Sequence, residues 1–262
     1  MTTVAQPSES QVALSLAGRR AVVTGASSGI GAAIARRLSA SGASVALLAR
    51  RADRLKEVAD GVVRDGGTAI AVPADVSDRD AVEAAAATVH ERLGQVDLVV
   101  SCAGLAVPAA FEQQPLADVE SMIATNVSGN VHLIRTFMPA LLRSAEDGGA
   151  DVAIISSTSA RHRYASYVVY AATKAAVTAL AEGLRVEYTQ RGVRITNIEP
   201  GLADTDMHRL ITDPKIAAYV QGLFSGGPTL QAEDVAETVA YAVGLPRHLN
   251  MSHVVIQATA QP

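Results

Sequence analysis

The sequence predicts an α/β fold: one domain built on a doubly wound, seven-stranded parallel sheet with helices on both faces. Three observations carry that prediction. Seven short apolar runs are spaced along the chain with longer amphipathic stretches between them, the alternation that strand–helix–strand units require. The runs are apolar at consecutive positions, so both of their faces meet a core. A glycine-rich turn follows the first run and leads directly into the first amphipathic stretch. With 262 residues, 49% hydrophobic and 18% charged, the chain is long enough for one full core and too apolar for disorder.

The elements follow in order. The first fifteen residues, rich in Ser, Gln and Thr, read as a flexible tail ahead of a domain over residues 16–262. Ala21-Val22-Val23 is the first strand, and the helix from Ile30 to Ala40 puts Ile34 and Leu38 on one face. Strands two and three are Val45 to Leu48 and Ala69 to Val72, with a helix from Asp78 to Leu93. Leu98 to Val100 is the fourth strand, followed by a helix from Asp118 to Leu142. The turn Asp147-Gly148-Gly149 precedes the fifth strand, Val152 to Ile155, and a helix runs from Val168 to Gln190. The sixth strand is Ile195 to Ile198, the last helix Ala232 to Val243, and the seventh strand Val254 to Ile256. Residues 201–228, with Asp213-Pro214 and Gly226-Gly227-Pro228, interrupt this rhythm after the sixth strand. Ligands of open α/β sheets bind outside the carboxyl ends of the strands, so the insert reads as a substrate lid. A surface helical hairpin is the alternative.

Composition narrows the function. There are 22 Lys+Arg against 26 Asp+Glu and no basic run longer than two residues, which excludes an extended nucleic-acid footprint. The single cysteine, Cys102, excludes an intramolecular disulfide and a multi-cysteine metal site, and no HExxH appears among the six histidines. No metal is expected. The opening MTTVAQPSES has neither a basic nor an apolar signal region, and no stretch approaches about 20 apolar residues. The expected address is cytoplasmic, with no membrane partner.

Thr24-Gly25-Ala26-Ser27-Ser28-Gly29-Ile30-Gly31 lies between the first strand and the first helix. Glycines there permit a tight turn and let the backbone approach a pyrophosphate at the positive helix end. Gly25, Ser27, Ser28, Gly29, Ile30 and Gly31 are therefore candidate cofactor contacts, a mere turn being the alternative. An NAD site places an acid at the end of the second strand. This chain has Ala49-Arg50-Arg51 instead. Arginine offers a planar fork of donors to a 2′-phosphate, worth about 1.5–3 kcal/mol per charge-assisted bond, so the cofactor is expected to be NADP(H). Solvated arginines at a helix start are the competing reading.

Tyr170-Ala171-Ala172-Thr173-Lys174 sits on a predicted helix, where i, i+4 spacing puts Tyr170 and Lys174 on one face. A free tyrosine titrates near pH ~10, and a neighbouring ammonium favours its phenolate. Ser157 stands thirteen residues earlier at the end of the fifth strand, placed to polarise a carbonyl. Neither Tyr164 nor Tyr167 has a lysine four residues on.

From Leu16 to Gln261 the sequence resembles the short-chain dehydrogenase/reductase family. The resemblance implies a Rossmann fold and an NADP-dependent oxidoreductase acting on CH–OH groups. It makes Tyr170 the general acid/base, and Lys174 the group that binds the nicotinamide ribose and lowers the tyrosine pKa. Ser157 orients the carbonyl, and Asn126, in Thr125-Asn126-Val127, holds a water in a proton relay. Asp75-Val76 matches the pair bracketing the adenine, and Pro200-Gly201 with Thr205 the turn that holds the nicotinamide amide. The family's Asn-Asn-Ala-Gly appears as Ser101-Cys102-Ala103-Gly104, with Ala103 and Gly104 as cofactor contacts and a strand-stabilising side chain missing. Cys102 reads as a small buried residue.

The ending Asn250 to Gln261 and Thr205-Asp206-Met207 are similar to the NADP-dependent 3-hydroxy acid dehydrogenase branch, which includes clavulanate aldehyde reductase. The substrate implied is a small carbonyl compound or alcohol: a 3-hydroxy acid or a specialised-metabolite aldehyde or ketone. A 3-ketoacyl thioester reductase is the alternative enzyme, and a non-catalytic NADP(H) sensor the alternative class. The pocket is expected between Ala106 to Ala110, Ser159 to Tyr167 and the lid. Arg161-His162-Arg163, and likewise His208 and Arg209, could bind a substrate carboxylate or be solvated or paired at a subunit interface; Tyr164 or Tyr167 lines the pocket or packs. Relatives commonly form tetramers through the helices carrying Asn126 and Tyr170, so a homotetramer is expected.

Overall fold

The computed structural model describes residues 15–262 apart from 205–210, 212, 226, 228, 260 and 262. The tail expectation for residues 1–14 and the contributions of Thr205, His208 and Arg209 fall outside the described residues. Seven strands form one parallel sheet: β1 (Arg20–Thr24), β2 (Ser44–Ala49), β3 (Thr68–Pro73), β4 (Leu98–Ser101), β5 (Ala150–Ile155), β6 (Val193–Pro200) and β7 (His253–Ile256). Their order is β3-β2-β1-β4-β5-β6-β7. The order reverses between β1 and β4, which opens a crevice at their carboxyl ends, where such sheets bind ligands.

Successive side chains of a strand go to opposite faces, which is why the apolar runs are continuous. Val23, Leu47, Val100 and Ile155 join a core with α1 (Gly29–Ala40), α2 (Ala52–Arg64) and α8 (Ala232–Gly244). Val22, Leu48, Val99 and Ile154 join the other core, against α3 (Arg79–Leu93), α5 (Gly129–Asp147) and α6 (Val168–Tyr188). The doubly wound sheet with helices on both faces is as expected.

Three elements differ from the sequence reading. The apolar stripe Leu55, Val58, Ala59 and Val62 makes α2 a helix that the alternation of runs does not single out. The single helix expected over Asp118 to Leu142 is α4 (Leu116–Ile123) and α5, joined by one π-helical stretch, Ala124–Ser128. Within residues 201–228 lies one more helix, α7 (Pro214–Ser225).

The amino ends of the strands are tied by charge. Asp151 accepts from Arg194 Nε at 2.6 Å, Arg19 Nη2 at 2.7 Å and Arg247 Nη1 at 2.8 Å. The guanidinium of buried Arg194 also donates to the carbonyls of Val243, Leu245, Pro246 and Leu249, closing the carboxyl end of α8. Cations suit that end because its last carbonyls have no partner in the helix.

Candidate active site

The site lies at the opposite edge of the sheet. β1 ends at Thr24, whose hydroxyl accepts from the backbone N–H of Cys102 (3.0 Å) and Ala103 (3.1 Å). Thr24 thus holds the end of β4. Gly25 has φ +66°, and a Cβ on it would stand 3.0 Å from Ala103 Cα; a Cβ on Gly31 would collide with the Gly25 carbonyl. Both glycines are required for the loop to lie against the strand end. Ser28 begins α1 without a side-chain cap bond, and the first turn has no acid, so the positive helix end faces the cleft undiminished.

Arg51 crosses this loop. Its Nη2 donates to Ser27 Oγ at 3.0 Å and to Ser28 Oγ at 2.6 Å. Arg50 is exposed, with Nη1 3.8 Å from Asp75 Oδ2. Partial burial raises the Asp75 carboxyl, but hydrogen bonds from Ser77 and the charge of Arg50 bring it below the ordinary carboxylate range.

The chemical groups converge from three elements. Tyr170 and Lys174 share one face of α6, with Lys174 Nζ 5.8 Å from the tyrosine ring centroid and donating to the Ile155 carbonyl at 2.9 Å. Ser157 opens a 3₁₀ turn, Thr158–Ala160, and its Oγ accepts from Ser159 N at 3.1 Å. Asn126, fully buried in the π-helical stretch, donates through Nδ2 to the Leu105 carbonyl (2.8 Å) and Thr173 Oγ1 (2.9 Å). Its Oδ1 accepts from Leu105 N at 2.7 Å. Both amide protons are committed, so a relay water would meet Asn126 only at the remaining lone pairs of its side-chain or backbone oxygen.

Burial dominates the electrostatics of these groups. Burial pushes Tyr170 up to about 12, against the hydrogen bond with Ser157. Burial also pushes Lys174 down to about 8. For Tyr170, desolvation outweighs the hydrogen bond with Ser157. Cys102 is partly buried beside them, its thiol pushed up to about 12 by burial, and so stays protonated.

Burying Lys174 has a measurable consequence. Between about pH 8 and its ordinary 10.5 the folded state binds fewer protons than the unfolded one, so stability rises with pH across that window. Below pH 8 the full penalty is present. Lys174→Met is expected to be more stable at pH 7 by roughly 1–3 kcal/mol. Urea unfolding at pH 7 and pH 10 checks this: the gain with pH should shrink in the variant, and an equal gain in both proteins would refute it.

One cleft of about 980 Å³ runs from the glycine loop past Ser157, Tyr170 and Lys174 to α7. Gly25, Ser27, Ser28, Gly29, Ile30, Gly31, Arg50, Arg51, Asp75, Val76, Ala103, Gly104, Pro200 and Gly201 all line it. Asn126 lies behind the wall rather than in it. The far end is bounded by Ala106, Pro108, His162, Arg163, Tyr164 and Tyr167, and α7 adds Tyr219. Tyr167 both lines the cleft and packs edge-on against Tyr170, with centroids 6.0 Å apart. Arg161 is not in the cleft; its Nε donates to Glu199 Oε2 at 2.9 Å. Gln261 is a lining residue that sequence reasoning missed: its Oε1 accepts from Leu202 N at 2.9 Å across 59 positions. No local signal marks such a contact.

The short chain dehydrogenase model matches residues 19–215. The chain belongs to this family, whose members are oxidoreductases that use nicotinamide cofactors on alcohol and carbonyl substrates. It is 36% identical over 247 residues to the glycine betaine reductase ATRR of Emericella nidulans, covering 94% of this chain but only 19% of that protein. It is 35% identical to sulfoacetaldehyde reductase 2 of Chromohalobacter salexigens, covering 92% and 94% of the two chains. The closed form of serine dehydrogenase complexed with NADP+ superposes with TM-score 0.85 at 30% identity, covering 93% and 96%. Among the described residues no helix is long and apolar enough to cross a membrane.

Proposed function

We propose that the protein is an NADP(H)-dependent oxidoreductase interconverting a small carbonyl compound and its alcohol. The observation that carries this reading is the convergence of Tyr170, Lys174 and Ser157 on one cleft with an uncapped helix end and Arg51 across Ser27 and Ser28. No carboxylate stands at the end of β2, where Ala49 is followed by Arg50 and Arg51. These groups fit a dinucleotide carrying a 2′-phosphate. The nicotinamide, when bound, supplies or accepts the hydride. Tyr170 Oη gives its proton to the substrate oxygen in reduction and takes it back in oxidation. Ser157 Oγ accepts from Ser159 and is hydrogen-bonded with Tyr170, which places its hydroxyl to donate to the same oxygen when substrate is bound. Lys174 has one donor on Ile155 and two left for ribose hydroxyls.

The 2′-phosphate assignment is tested by replacing Arg50 and Arg51 together with Ala. The NADPH KM should rise about 10- to 100-fold for each charge-assisted bond to the phosphate that is removed, while the NADH KM stays nearly constant. Equal changes for both cofactors would sink the assignment.

The described residues around the far end supply the cation Arg163 and no carboxylate, which suits an anionic substrate such as a 3-hydroxy acid. The sulfoacetaldehyde reductase relative is in keeping with that class. Absorbance at 340 nm with NADPH or NADH against a panel of small aldehydes and ketones, and with NADP and serine-like hydroxy acids, tests the reading. Turnover confined to one carbonyl class with NADPH is the expected result; NADPH binding without any turnover would favour a sensor. Exposed Leu116, Ile123, Val131, Val168 and Val186 on α4, α5 and α6 support assembly as a homotetramer through those helices.

A further inference from the structure

We propose that Glu199 is a positioning residue for hydride transfer, locking the Pro200-Gly201 turn to the helix that carries Tyr170 and Lys174. The proposal rests on the oxidoreductase reading above and goes beyond it. Glu199 immediately precedes the turn, and its side chain is fully buried.

Four elements meet on this one carboxylate. Oε1 accepts from Thr178 Oγ1 on α6 at 2.8 Å and from Asn197 Nδ2 on β6 at 3.1 Å. Oε2 accepts from Arg161 Nε at 2.9 Å and lies 3.1 Å from His253 Nε2 on β7. Arg161 ends the 3₁₀ turn that Ser157 begins, so the carbonyl-polarising serine is tied to the same point.

The connection continues toward the chemistry. Thr178 lies one turn after Lys174, and Ser156 Oγ bridges them, 2.9 Å from Thr178 Oγ1 and donating to the Lys174 carbonyl at 3.0 Å. Glu199 thus fixes the spacing between the cofactor turn and the catalytic face of α6, although it lines no part of the cleft. A purely apolar contact between these elements would not specify their register, because packing alone is non-directional whereas charge-assisted bonds are geometric.

A misplacement of the order of 1 Å costs up to about 100-fold in rate. Glu199→Gln presents an amide donor where two donors already point, and is expected to lower kcat about 10- to 100-fold. The NADPH Kd should change by less than about threefold, since the phosphate and ribose anchors lie elsewhere, so the loss falls on kcat. The fluorescence of bound NADPH should lose part of its blue shift as the turn loosens. Thr178→Val breaks the link without leaving a charge unpaired, and should show the same pattern at smaller amplitude. Thr178→Ser, which keeps the hydroxyl, should restore both readouts.

Variants that melt earlier but keep wild-type kcat and wild-type bound-NADPH emission would overturn the proposal and leave Glu199 a fold-stabilising residue. A wild type that binds NADPH and reduces no carbonyl would instead defeat the functional reading. The emission comparison among Glu199→Gln, Thr178→Val and Thr178→Ser would still decide whether Glu199 sets the turn.

Discussion

Tyr170→Phe is expected to lower kcat by a factor of about 1000 or more, some 4 kcal/mol of transition-state stabilisation. Phe keeps the ring in its buried place beside Tyr167 and removes only the hydroxyl. The thermal midpoint and NADPH affinity should therefore stay close to wild type. The competing possibility is that Ser157 or a water delivers the proton, since Tyr170 is pushed up to about 12 and is a poor acid by itself. A variant retaining full activity in the 340 nm assay would refute the role. Proton transfer governed by Tyr170 also predicts that carbonyl reduction weakens at high pH in the wild type, because the reductive direction needs the protonated phenol.

Asp151→Ala should produce the largest loss of stability. It leaves Arg194, which is buried, and also Arg19 and Arg247 without their common carboxylate. Breaking a buried ion cluster by removing one partner costs about 3–5 kcal/mol, because the surviving charges stay desolvated. For a chain of this size each kcal/mol moves the midpoint by roughly 2–4 °C, so a drop near 10 °C is expected. The cluster lies at the amino ends of β5 and β6, and the cleft lies at their carboxyl ends. Hence kcat measured well below the midpoint should be unchanged. Calorimetry and low-temperature kinetics on the same preparation separate the two effects. A midpoint within a degree of wild type would show that the arginines find other partners.

The residues proposed for the chemistry were legible because such chemistry demands fixed local spacing. Tyr170 and Lys174 sit one helical turn apart, and the glycines sit where a strand turns into a helix. A short window of sequence contains each of these relations. The role of Arg161 was not legible. Beside His162 and Arg163 it looks like part of one cationic patch, yet it turns to Glu199 while Arg163 faces the cleft and donates to the Ser159 carbonyl at 2.9 Å. Nothing within the tripeptide separates the two, because the partner comes from another strand. The direction of the tyrosine shift was hidden for a related reason. A lysine four residues away is visible in the sequence, whereas the burial that raises the tyrosine comes from the surrounding elements.

By itself, then, the sequence determined the seven strands, the doubly wound parallel class, the glycine cradle and the Tyr–Lys pair, all of which are encoded by periodicity and short-range spacing. Only the tertiary structure decided the strand order, the π-helical stretch that turns Asn126 inward, the Asp151 cluster, and the Gln261 and Glu199 contacts. These depend on groups brought together from distant positions, and a carboxylate's partner is chosen by proximity in the folded chain rather than by its neighbours along it.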